Sequence, residues 1–151
     1  MIMKKEALIK LTKYCLDVMF YLGIVVTLTL PWSLKWIGAY IPRVAENYQE
    51  IVIIYFVLGV AALAIIRELR KMFKTVLNKD CFVRDNVISL NKMFKWSLFI
   101  VAFSLVRCVV YLTVAMGVVI LVFAIAGLFS KVLAFVFEEA IEYKEENDFT
   151  I

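Results

Sequence analysis

Three charged residues stand inside otherwise apolar stretches of this 151-residue chain, and any chemistry within those stretches would have to use them. Asp17 follows Lys13 by four positions in the run that opens at Tyr14; Arg107 and Lys131 are the only charges between Trp96 and Phe137. A charge held in the middle of a bilayer costs about 2.5–3.5 kcal/mol on insertion scales, so such a residue pairs, snorkels or serves a pathway. Asp17 can pair locally with Lys13 at i,i+4, or across helices with Lys131, which the position of Glu138 puts at a similar inner depth. Proton relay or transport is the functional alternative for that pair. Arg107, well beyond Lys95 towards the far surface, is expected to snorkel outward, with lipid or ligand recognition as its alternative role.

The remaining residue types exclude more than they suggest. Cys15, Cys81 and Cys108 are widely spaced and the chain has no histidine, so the usual zinc and haem ligand sets are missing. All three cysteines read as thiols, with Cys81, between Lys79 and Arg84, the one placed for redox sensing. There is no P-loop, GxSxG or HExxH pattern and no paired carboxylates in a cleft context, which predicts a non-enzyme without cofactor or metal.

Charge is concentrated in two places. Residues 67–95 hold eight basic residues against Glu68, Asp80 and Asp85. Within them Arg67, Arg70, Lys71 and Lys74 recur at i, i+3, i+4 and i+7, a basic stripe opposite Leu69, Met72, Phe73 and Val76. The tail 138–151 is acidic: Glu138, Glu139, Glu142, Glu145, Glu146 and Asp148 face only Lys144. The stripe can contact anionic lipid, take up the acidic tail, or hold a protein partner. Direct nucleic-acid binding is not expected, since no DNA-reading motif surrounds it.

The elements that carry these residues are membrane helices. The chain is 64% hydrophobic with a mean hydropathy of +0.91, far above the level of soluble domains. Four crossings are predicted, at about 14–36, 49–68, 94–113 and 116–137, in one bundle domain whose second and fourth helices extend into the cytoplasm. The first run is too long for a signal-peptide core and lacks a cleavage pattern, so it reads as a retained crossing. Pro31 is placed to kink its far end, and Trp32, Trp36 and Tyr40 share one face as an interfacial belt. The 42 residues from Trp96 to Phe137 are twice one crossing, which requires a tight turn, expected at 113–117. Asp85 or Asn86 is expected to cap the third membrane helix. Positive charges number eight in the 67–95 connection and four before Tyr14 against two, Lys35 and Arg43, in the opposite connection, which puts both termini in the cytoplasm.

The turn Lys79-Asp80-Cys81-Phe82-Val83-Arg84-Asp85-Asn86 with Leu90, and the ending Phe137-Glu138-Glu139-Ala140-Ile141 through Glu145-Glu146-Asn147-Asp148-Phe149-Thr150-Ile151, resemble the bacterial domain-of-unknown-function 2975 family. The resemblance covers nearly the whole chain and implies a small four-helix protein of the bacterial cell membrane. It implies no activity. Genes of that family often stand beside small helix-turn-helix regulators, so it points to a cytoplasmic protein partner of that kind. Two expectations follow: a regulatory or interaction protein in which the tail covers the basic stripe reversibly, or a small transporter or tolerance protein acting as a homo-oligomer through Asp17 and Arg107.

Overall fold

The computed structural model describes the backbone of residues 2–110 and 112–150, with side chains from Lys4 to Val109 and from Leu112 to Thr150. Among these residues the regular structure is all helical: α1 (Ile2–Gly38), the short α2 (Pro42–Glu46), α3 (Tyr48–Leu77), α4 (Arg84–Val110) and α5 (Val114–Phe149). Three helices, α1, α3 and α5, are long and apolar enough to cross a membrane. At about 1.5 Å per residue, 36 residues make α5 about 54 Å long, so a core of roughly 30 Å leaves much of it outside. The helix of α1 runs through Pro31 to Gly38, and the Tyr48 hydroxyl of α3 donates to the Pro31 carbonyl at 2.7 Å.

Over its described residues α4 is not among those three. Lys92, Lys95 and Arg107 divide its apolar sequence, and the 11 uncharged residues from Trp96 to Val106 reach only about 16 Å. The tight connection expected at 113–117 falls earlier, because α4 ends at Val110 and α5 already begins at Val114; Tyr111 between them lies outside the described residues.

The expected bundle is, in this structure, an open row. α1 packs on α3, α3 on α4 and α4 on α5, while α1 meets neither α4 nor α5. Small residues set the close approaches. A β-carbon at Gly59 of α3 would stand 3.0 Å from Thr27 Oγ1 of α1, and one at Gly127 of α5 would stand 3.0 Å from Ser97 Cβ of α4. Between membrane helices, van der Waals packing of small residues replaces the hydrophobic drive that lipid tails remove. The α4 seam is built the same way: Asn86, Ser89, Leu90, Met93, Ser97, Ile100 and Ser104 are buried, at steps of three and four that keep them on one face. Facing them on α5 are Gly127, Ser130, Ala134 and Ile141. The outward faces of α1 and α5 stay apolar and exposed, as at Leu22, Val25, Ile125 and Leu128, which suits contact with lipid.

The α3–α4 connection is a Schellman end. The Asp80 amide donates to the Thr75 carbonyl at 3.2 Å and the Lys79 amide to the Val76 carbonyl at 3.1 Å, with Lys79 in the left-handed region at φ 61°. Neither Asp85 nor Asn86 caps α4, which starts one residue before Asp85. Asn86 is instead a buried latch: its Nδ2 donates to Thr75 Oγ1 and to the Cys81 carbonyl, both at 2.7 Å.

Candidate functional site

Each neighbouring pair in the row is joined by a polar bridge. Between α1 and α3, Arg70 Nε donates to Asp17 Oδ1 at 2.5 Å. The same guanidinium lies over the rings of Phe20, 4.5 Å from its centroid, and Tyr21, 5.3 Å, so the charge is held by a carboxylate and two aromatic faces. Both side chains are about a quarter exposed, at 26% and 28%.

Between α3 and α4 the bridge is buried. Glu68, 6% exposed, accepts from Lys71 Nζ on its own helix and from Ser89 Oγ on α4, each at 2.9 Å. Both carboxylate oxygens therefore have a donor, which is what lets a charged group stay inside. Between α4 and α5, Lys131 Nζ donates to Asn91 Oδ1 at 2.7 Å and stands 4.6 Å from the centroid of Phe135.

The expected Asp17–Lys131 pair is thus not formed. The two residues sit on the outer helices of the row, with α3 and α4 between them, so each finds its partner on an inner helix. The tail does not lie on the basic stripe either. α5 runs beside α4, and its tail meets the start of that helix and the connection before it: Arg84 donates to Glu145 Oε2 at 3.4 Å, and Lys144 to Asp80 Oδ1 at 3.3 Å. One member of the stripe, Arg70, is committed to Asp17, and Lys71 bonds Glu68, while Arg67, Lys71 and Lys74 are exposed. Of the tail acids, Glu138, Glu139, Glu142, Glu145 and Glu146 are all exposed.

Where the tail leaves α4, Arg84, Val87, Ile88, Glu138, Ile141 and Glu142 line a groove of about 210 Å³. Phe82 packs edge-on against Phe137 beside it, with ring centroids 5.3 Å apart. Arg107, expected at the outer surface, is 19% exposed and has Glu50 Oε2 at 3.8 Å from its Nη1. Cys15, Cys81 and Cys108 are free thiols, and no group of His, Cys, Asp and Glu among the described residues is arranged to hold a metal.

Sequence reasoning missed the partners rather than the charges. Asn86 reads in sequence as a helix cap, and Ser89 and Asn91 as polar helix residues, with nothing to name the neighbour each one meets. Their one signal is spacing, since they fall on or beside the face that carries Leu90 and Met93.

Long apolar helices joined by polar bridges define the class: a small helical membrane protein. Within that class the chain belongs to the DUF2975 family, proteins of unknown function, whose model matches residues 14–151. No curated protein and no solved structure matches it.

Proposed function

We propose that the protein is a non-enzymatic, four-crossing protein of the cell membrane that engages a soluble cytoplasmic partner. In this reading α4 makes the third crossing with Lys95 and Arg107 towards its two ends, both chain ends and the 78–83 connection lie in the cytoplasm, and α2 lies outside. The asymmetry of Lys and Arg between the connections supports that orientation.

The observation that carries the partner reading is the exposure of two oppositely charged surfaces that do not neutralise one another. Arg67, Lys71 and Lys74 line one edge, and Glu138, Glu139, Glu142 and Glu146 the other. Anionic lipid can take the basic edge, at about 1 kcal/mol per residue near the surface. The acidic edge repels the same lipid, which leaves it to a protein. Complementary charge of this kind sets association rate and specificity more than affinity. A small helix-turn-helix regulator with a basic face is the partner class suggested by the family resemblance, and regulation is then release or capture of that partner.

Recovery of soluble proteins with the intact protein from its native membrane tests this. A partner should co-purify with the wild type and be lost, in proportion to added salt, with Glu139→Gln/Glu142→Gln/Glu146→Gln. Equal recovery with the neutralised tail would remove the proposal.

A further inference from the structure

At the end of the row opposite the charged tail, residues of α1, α2, α3, α4 and the start of α5 line an open cavity of about 420 Å³. Its walls are mainly apolar, with Leu34 and Ile37 from α1, Val44 from α2 and Ile51 and Ile54 from α3, and Tyr55 and Thr113 also line it. Into this apolar chamber projects one cation, Arg107. The volume falls within the roughly 300–1,000 Å³ of small-molecule sites, and an apolar cavity with a few convergent polar groups is how such sites are built.

We propose that this cavity binds a single-chain anionic amphiphile, its apolar chain among Leu34, Ile51 and Ile54 and its carboxylate on the Arg107 guanidinium. Three observations converge on that chemistry. The guanidinium fork matches a planar carboxylate and takes it bidentately. Glu50 Oε2 stands 3.8 Å from Arg107 Nη1 on a side chain 63% exposed, a loose contact that a better placed carboxylate can displace. The cavity is also level with Trp32 and Trp36, both exposed on α1 beside Leu34 and Ile37, so its mouth falls where an interfacial aromatic belt meets lipid headgroups. A chain lying along the lipid boundary thus has its headgroup at the depth of Arg107. The volume favours one acyl chain over the two of a phospholipid. The site does not depend on a soluble partner or on which side of the membrane the cavity faces.

The test uses the full-length protein in nanodiscs of phosphatidylcholine, titrated with palmitate and, separately, with the uncharged hexadecanol, bound ligand being counted by native mass spectrometry. Palmitate should bind saturably and hexadecanol should not. Arg107→Gln should weaken palmitate roughly tenfold or more, as expected for loss of a charge-assisted hydrogen bond. Glu50→Gln, which removes the competing anion, should tighten it. Ile54→Trp fills the chamber without touching charge and should abolish binding; retention of the wild-type helical circular dichroism and monodisperse elution shows that each variant is folded. Equal binding of hexadecanol, unchanged affinity in Arg107→Gln, or unchanged binding in folded Ile54→Trp would each overturn the site. Displacement of palmitate by phosphatidylglycerol added to the discs would overturn the assignment to a single-chain ligand.

Discussion

Asp17 and Glu68 are tolerated inside a largely apolar molecule for different reasons. Asp17 shares one strong contact with a guanidinium that also lies against the rings of Phe20 and Tyr21, whereas Glu68 has a donor on each oxygen. Removing one member of a bridge should therefore cost more than removing both. For Asp17→Asn and Arg70→Gln, measured by thermal unfolding in detergent, the account expects non-additivity within the usual range of about 0.5–3 kcal/mol for contacting residues, towards the low end because both side chains are partly exposed. Additive losses would dissolve the pair. Ser89→Ala deletes one of two donors to a buried carboxylate and should cost about 1–3 kcal/mol, a larger loss than Ser33→Ala on the exposed face of α1.

Among the elements, the α4–α5 contact should be sensitive to added volume. Gly127→Leu drives a side chain into Ser97 and should separate the helices, with overpacking costs of about 1–3 kcal/mol. Gly117→Leu, where an added β-carbon would meet no neighbouring helix or side chain within 4 Å among the described residues, is the control and should be tolerated. The Schellman end of α3 makes the opposite prediction. Lys79 occupies the left-handed conformation that glycine adopts without strain, so Lys79→Gly should raise stability by about 1 kcal/mol. Its exposed 3.8 Å contact with Glu6 subtracts little.

Much of the element scale was legible in the sequence. Apolar run length located α1, α3 and α5, and turn residues located the 78–83 connection. The face of α4 carrying Leu90 was readable from spacing, and so was the presence of charges that needed partners. Which partners they took was not readable, because that depends on neighbour order. A closed bundle brings Asp17 to Lys131; an open row gives Asp17 to Arg70 and Lys131 to Asn91. The cap was misplaced for a related reason: Asn86 has the chemistry of an N-cap, but with α4 begun at Arg84 its amide is turned onto Thr75 and the Cys81 carbonyl.

For the whole molecule, the asymmetry between its two ends is the organising property. One end carries exposed acids and bases on helices longer than a bilayer core requires, and the other an apolar chamber with a single guanidinium. This division of roles stands on α4 passing through the membrane, although 11 uncharged residues would not cross without Lys95 and Arg107 reaching the two boundaries. The most direct measurement is site-specific labelling in a background where Cys15, Cys81 and Cys108 are replaced by serine. Single cysteines are introduced as Glu46→Cys, Lys79→Cys and Thr113→Cys and exposed to a membrane-impermeant maleimide in intact cells and in inverted vesicles. Positions 46 and 113 should label from outside and position 79 only from the cytoplasmic side. Labelling of positions 79 and 113 from the same side would show that α4 does not cross, and would contradict that division of roles.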